Sequence, residues 1–190
     1  MLSKTYIQKI KKEYLDYAEK RRDVIKFSGD ALHCAKRAIF AMHRRETDDA
    51  GSRLAEAEKI LKQLNQDFSG QNELFDEGSY RAALEEYVEA KLFCEFVMTG
   101  KMSEIDAMPV DSDVFLAGLC DVPGELCRYA VNSATNRQFD TVAKCKTAAE
   151  EIIGELMEFD LTSYLRNKFD QAKGALNKIE QIVYEVSLKK

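Results

Sequence analysis

Residues 3–45 read SKTYIQKIKKEYLDYAEKRRDVIKFSGDALHCAKRAIFAMHRR, a charged and apolar mixture with no proline. Within it Ile7, Ile10, Tyr14, Tyr17, Val24, Ala31, Ala35, Ala38 and Met42 recur at steps of three, four or seven, the spacing of one helix face. The stretch is predicted to form one long helix, or two collinear ones with a kink at Ser28-Gly29. The chain carries only 2 Pro and 9 Gly in 190 residues, so the rest is equally free to build long helices.

Working outward, Thr47-Asp48-Asp49 is predicted as a capping loop, followed by a helix over 51–67 through Leu54, Ala57, Ile60, Leu61 and Leu64, ended by Ser69-Gly70. A third helix runs from Asn72 or Ser79 to Met98 and stops at Thr99-Gly100. Residues 103–108 read as a short turn or helix before Pro109. Asp111-Ser112-Asp113 caps a helix over 113–136, in which Pro123 predicts a kink or break near 121–123. Helices over 138–159 and 163–188 complete the chain. No segment sustains period-two alternation. The expected fold is all-α, a bundle of about six to seven long helices in one domain over 1–190.

With 45% hydrophobic and 32% charged residues, collagen-like, Pro-rich and disordered classes are excluded. No apolar run approaches the roughly 18 residues a membrane span needs. The first twenty residues are charged throughout and lack a signal peptide's apolar core. The expectation is a soluble, cytoplasmic protein with no membrane partner. The five cysteines (Cys34, Cys94, Cys120, Cys127, Cys145) are odd in number and form no CxxC pair, which argues against a disulfide framework or structural zinc. They read as small buried hydrophobes. Only His33 and His43 are available to a hydrolytic Ser/His or Cys/His pair.

The net charge of -5 hides a split: residues 1–45 hold 12 Lys and Arg against 5 Asp and Glu, the remainder 16 against 28. Such polarity suits internal pairing, or a basic surface for polyanions beside a carboxylate-rich site for cations.

Two helices carry acids in one turn. On the third, Glu86 and Glu89 fall about 60° apart on a face continued by Phe93, Phe96 and Val97. A buried ionised carboxylate is costly unless paired or metal-bound. Glu85 and Glu95 point elsewhere and read as solvated. On the fourth helix Asp121 and Glu125 share a face with Gly118, Arg128, Asn132 and Asn136. An ordinary solvated stripe and a functional site both fit that face. Four carboxylates together suit Mg²⁺ or Mn²⁺, which prefer oxygen ligands in octahedral geometry. The absence of a Glu-x-x-His pair disfavours a di-iron site. Mg²⁺ on carboxylates commonly serves phosphoryl chemistry.

On the first helix Lys4, Lys11, Arg22, Lys26, His33, Arg37 and Arg44 fall in a wedge of about 80°. This stripe fits a phosphate-backbone track, and equally a solvated face that pairs with the acidic body. Lys36, Arg21 and Arg45 lie outside it.

RDVIKFSGDALHCAKRAIFAMHR at 22–44, LEEYVEAKLF at 84–93, VFLAGLCDVPGELCRYAVNS at 114–133 and KIEQIVYEVSLK at 178–189 resemble, in order and spacing, the translin family and most closely its translin-associated factor X (TRAX) branch. The resemblance covers nearly the whole chain. It implies an all-α fold of about seven helices in closed, hollow oligomers, typically octamers. It also implies single-stranded RNA and DNA binding in the translin branch, and a metal-dependent endoribonuclease site facing the interior in the TRAX branch. The family's catalytic carboxylates lie in E-Y-V-E-A and D-x-x-G-E-L elements, which match Glu86, Glu89, Asp121 and Glu125. The chain departs from eukaryotic TRAX in its short connection over 99–112 and in lacking a long basic tail, which suits a self-assembling homo-oligomer, as in archaeal relatives.

The expected function is therefore a Mg²⁺- or Mn²⁺-dependent endoribonuclease. Glu86, Glu89, Asp121 and Glu125 would hold the metal and its water. Arg22, Lys26, His33, Arg37 and Arg44 would hold the RNA backbone, and Arg128 a phosphate, unless it merely pairs with Glu125. A non-catalytic translin-like RNA or DNA binder and an all-α scaffold are the rival readings.

Overall fold

The computed structural model describes residues 2–68 and 77–188, and the described residues form six helices. They are α1 (Lys4–His43), α2 (Thr47–Asp67), α3 (Gly78–Thr99), α4 (Ser112–Thr135), α5 (Phe139–Met157) and α6 (Ser163–Ser187). The long first helix is uninterrupted across Ser28-Gly29, begins at an N-cap Ser3 whose hydroxyl accepts the Tyr6 N–H at 3.4 Å, and turns out through Arg45 at φ 64°. The predicted capping loop at Thr47–Asp49 is instead the first turn of α2, where Asp48 and Asp49 favour the positive end of the helix dipole. Ser69-Gly70 and Asn72 lie outside the described residues. The third helix stops where expected, on Gly100 in the left-handed region at φ 76°. Residues 103–108 form no helix, and α4 runs unbroken through Pro123. Among the described residues no helix is long and apolar enough to cross a membrane.

Packing divides the bundle into two halves. Helix α1 packs on α2 and α3, while α4 packs on α5 and α6. The halves meet along α3 and α4, and one hydrophobic core runs through both. Its largest fully buried side chains include Tyr87, Phe93, Met42, Leu126 and Ile179. The α3–α4 seam is close because Gly118 sits on it. A Cβ there would lie 2.7 Å from the Glu85 carbonyl oxygen and 2.7 Å from Val88 Cβ. Only glycine lets the two backbones approach this way.

One part of the first helix departs from expectation. Burial in α1 begins at Val24, and Ile7, Ile10, Tyr14 and Tyr17, read as part of its core face, are all exposed. Helical periodicity is there, but among the described residues no other helix covers that half of the face. The five cysteines are free, and Cys94, Cys120 and Cys145 are buried, as small hydrophobes should be.

Candidate metal and nucleic-acid site

The α3–α4 seam places the four acids. Glu86 and Glu89 project from α3, with Glu89 only 9% exposed and Phe93 fully buried one turn further on. Asp121 and Glu125 project from α4 and are half-buried, while Arg128, Asn132 and Asn136 further along the same face are exposed. The four carboxylates act on one another. Burial, then the charges of Asp121, Glu86 and Glu125, push the Glu89 carboxyl up to about 9. Burial also raises Glu86, against Lys36 and with Asp121 and Glu125 adding to it. Asp121 is raised by burial despite the ammonium of Lys168 beside it.

Cations reach this cluster from both halves of the bundle. From α1, Lys36 Nζ lies 3.5 Å from Glu86 Oε2, and the buried His43 ring places Nε2 on the Glu125 carboxylate. The imidazole packs beside Phe93, with ring centroids 4.9 Å apart. From α6, Lys168 Nζ pairs with Asp121 and lies 2.5 Å from Glu85 Oε1. Burial works against its charge, but Asp121 and Glu85 hold its pKa well above that of an ordinary lysine. Tyr164 also donates to Glu85 Oε1, at 2.8 Å. Glu85 is thus a half-buried member of the ion-pair network, which corrects its reading as a solvated residue pointing elsewhere. Its carboxylate meets α6, an element that spacing along α3 does not reveal. Lys36, set aside as lying off the basic stripe, reaches the site for that very reason.

Glu89 stands apart: among the described residues it makes no hydrogen bond or ion pair, although it is the most buried of the four. Among the described residues no three His, Cys, Asp or Glu groups already stand together as a cation-holding set. The donors nonetheless fit a hard divalent cation. They are all oxygens, they repel one another, and the deepest is bonded to no cation among the described residues.

The basic stripe is where its spacing puts it. Arg22, Lys26, His33, Arg37 and Arg44 are all exposed, on the side of α1 away from Ala31, Ala35, Ala38 and Met42. The pairing with the acidic body is done by off-stripe cations, Arg21 with Glu77 at 2.7 Å and Lys36 with Glu86. Among the described residues Arg22, Lys26, His33 and Arg37 make no ion pair, and Arg44 pairs with Glu46 at 2.6 Å. Arg128 is exposed, with Nη1 3.9 Å from Glu125 Oε2. Its side chain, with that of Arg44, flanks the Phe40 ring. Sequence reasoning missed Lys168, Glu85, His43 and Phe40 as members of this region. His43 had one signal, its step of seven from Lys36 on α1.

Comparisons with known proteins agree on one family. The Translin family profile matches residues 19–190. A translin-associated protein X homolog of Schizosaccharomyces pombe is 23% identical over 90% of this chain and 82% of its own. Translin-associated protein X of Rattus norvegicus is 25% identical over 90% and 73%. Among solved structures, apo-NeC3PO superposes with a TM-score of 0.88 at 22% identity, over 98% of both chains. AfC3PO in complex with duplex RNA superposes with a TM-score of 0.87 at 23% identity, over 97% of this chain and 98% of the other. These structures share the fold.

Proposed function

We propose, from the premise that this chain belongs to the Translin family, that it is a divalent-cation-dependent endoribonuclease acting within a closed homo-oligomer. The observation that carries this reading is the convergence of Glu86, Glu89, Asp121 and Glu125 on one seam, with the deepest acid bonded to no cation among the described residues. Translin-associated X proteins among its relatives, and a fold shared with an RNA-bound assembly, support RNA as the substrate.

The four carboxylates would hold Mg²⁺ or Mn²⁺, which supplies an activated water and neutralises charge on the scissile phosphate. The chain's own residues do the rest. Glu89 holds a proton near neutral pH, which it would give up on serving as a ligand. Lys168 neutralises Asp121 and Glu85, and orients Asp121 along the seam. The buried His43 fixes Glu125. Arg22, Lys26, His33, Arg37 and Arg44 bind the RNA backbone along the outer face of α1, and Arg128 meets a phosphate beside Glu125. Octameric assembly and a cytoplasmic location belong to this reading. The exposed Ile7, Ile10, Tyr14 and Tyr17 give α1 an apolar face suited to contact between copies.

The test is incubation of purified protein with labelled single-stranded RNA in Mg²⁺, Mn²⁺ or EDTA. Internal cleavage in metal and none in EDTA is expected. A second reading, a non-catalytic RNA or DNA binder with structural acids, is favoured by the lysine partners of Asp121 and Glu86 and by the His43 contact to Glu125. Binding without cleavage in either metal would select it.

A further inference from the structure

The outer face of α1 carries one large ring among its cations. Phe40 is 49% exposed and lies in the same angular wedge as Arg37 and Arg44. Two guanidinium groups flank it, from different helices: Arg44 of α1 at 4.9 Å from the ring centroid and Arg128 of α4 at 5.6 Å. Arg128 also stands 3.9 Å from Glu125, so a single side chain links the ring to the carboxylates. An exposed phenyl group among charges gains nothing from the core, while a ring bracketed by planar cations is a surface on which an unpaired base stacks.

We propose that Phe40, with Arg44 and Arg128, is a stacking platform for one unpaired base of an RNA strand, which sets the register of the strand over the carboxylate site. This rests on the RNA-cleaving reading above. The order of groups supports it: exposed cations along α1, then the ring, then Arg128, then Glu125. A backbone tracking the stripe arrives at the ring before it meets the acids. Stacking on a phenyl face tolerates any base, so the platform would position the strand without selecting sequence.

The experiment uses full-length protein in EDTA, so that binding is read without cleavage, and single-stranded RNA carrying one 2-aminopurine. Wild-type protein should quench the 2-aminopurine wherever along the strand it is placed, because no base is selected. Phe40→Leu keeps apolar bulk and removes the aromatic face; it and Phe40→Ala should bind about 5- to 100-fold more weakly. Both should keep the wild-type salt slope, because no charge is lost. Phe40→Trp should restore affinity and quenching. A strand of abasic nucleotides, which has the same phosphates and no bases, should bind wild type more weakly by a similar factor and leave Phe40→Leu little changed. Equal affinity of Phe40→Leu and wild type, or an equal loss on intact and abasic strands, overturns the platform and leaves the nuclease reading standing. No RNA binding by wild type overturns both.

Discussion

Replacing Glu89 by glutamine separates a metal ligand from a buried structural acid, because the two make opposite demands on charge. In the metal-free protein the Glu89 carboxyl is held up to about 9, against 4.5 in an unfolded chain, by burial and by Asp121, Glu86 and Glu125. A folded-state pKa that is raised gives stability fully present below about pH 4.5 and lost progressively as pH rises towards 9. Each pH unit in that window removes up to about 1.4 kcal/mol. Between pH 5 and pH 7 the wild type should therefore lose up to about 2–3 kcal/mol through this one group. Glutamine has the same shape and does not titrate, so Glu89→Gln escapes the loss. The variant should gain on wild type as pH rises, with a midpoint higher at pH 7 by several degrees at about 2–4 °C per kcal/mol.

The assay is unfolding of both proteins in EDTA at pH 5, 6, 7 and 8, repeated with Mg²⁺ and with Mn²⁺. Added metal should stabilise wild type and do little for Glu89→Gln, because a cation that binds only the folded site shifts the equilibrium by mass action. RNA cleavage should fall by at least about 100-fold in the variant, the scale of losing metal-assisted water activation. Parallel pH curves for the two proteins would refute the electrostatic account of the seam. Full RNase activity in Glu89→Gln would refute the proposed site. Glu95→Gln is the proper control, since Glu95 is half-buried away from the seam and holds Ser103 with a 2.6 Å bond. Glu85 cannot serve, being tied to Lys168.

Asp121→Asn should likewise lose cleavage by orders of magnitude while keeping RNA binding, read by gel mobility beside a cleavage assay. Lys168→Met should destabilise the metal-free protein by about 1–3 kcal/mol at pH 8, since it leaves Asp121 and Glu85 without their shared cation, and by less as pH falls and Asp121, whose carboxyl burial raises, takes up a proton; a denaturation series over pH measures it. Gly118→Ala should cost about 1–3 kcal/mol and depress cleavage, because its Cβ forces the α3–α4 seam apart between Glu89 and Asp121; thermal unfolding and activity report both. Replacing Arg22, Lys26 and Arg37 together by alanine should weaken RNA binding and reduce the log–log salt slope by about 2, at roughly 0.7 per lost contact on a single strand. Unchanged slope would mean that the stripe holds no phosphate.

What could be read from the sequence follows from the range over which each signal acts. Helix periodicity is local, and it placed all six helix bodies and put Glu86 with Glu89, and Asp121 with Glu125, on shared faces. Capping is local too, yet Thr47–Asp49 joined α2, because a first turn and a capping loop favour the same acidic and hydroxyl residues. Periodicity says that a face is apolar but not what covers it. Hence Ile7, Ile10, Tyr14 and Tyr17 carry the stepping of a core face and remain exposed, while Val24 onward is buried. The partners of the acids were out of reach for the same reason. Lys168 meets Asp121 and Glu85 only because α6 packs on α4, and His43 meets Glu125 only because α1 ends beside α4.

The distribution of those partners itself bears on what the seam does. Three acids at its edge, Glu86, Asp121 and Glu125, each have a cationic or imidazole partner drawn from α1 or α6, which lets the seam fold without metal. Glu89, at its base, is bonded to none among the described residues, although the charge of Lys168 reaches it. A purely structural network would be expected to neutralise its most buried acid first, since that acid has the largest desolvation cost. Here the order is inverted: the bonded cations sit on the better-solvated acids, and at the deepest one the charge of Lys168 opposes burial without outweighing it. That inversion is why Glu89, rather than the more heavily bonded Asp121, is the position at which substitution discriminates most sharply between a metal site and an ion-pair network.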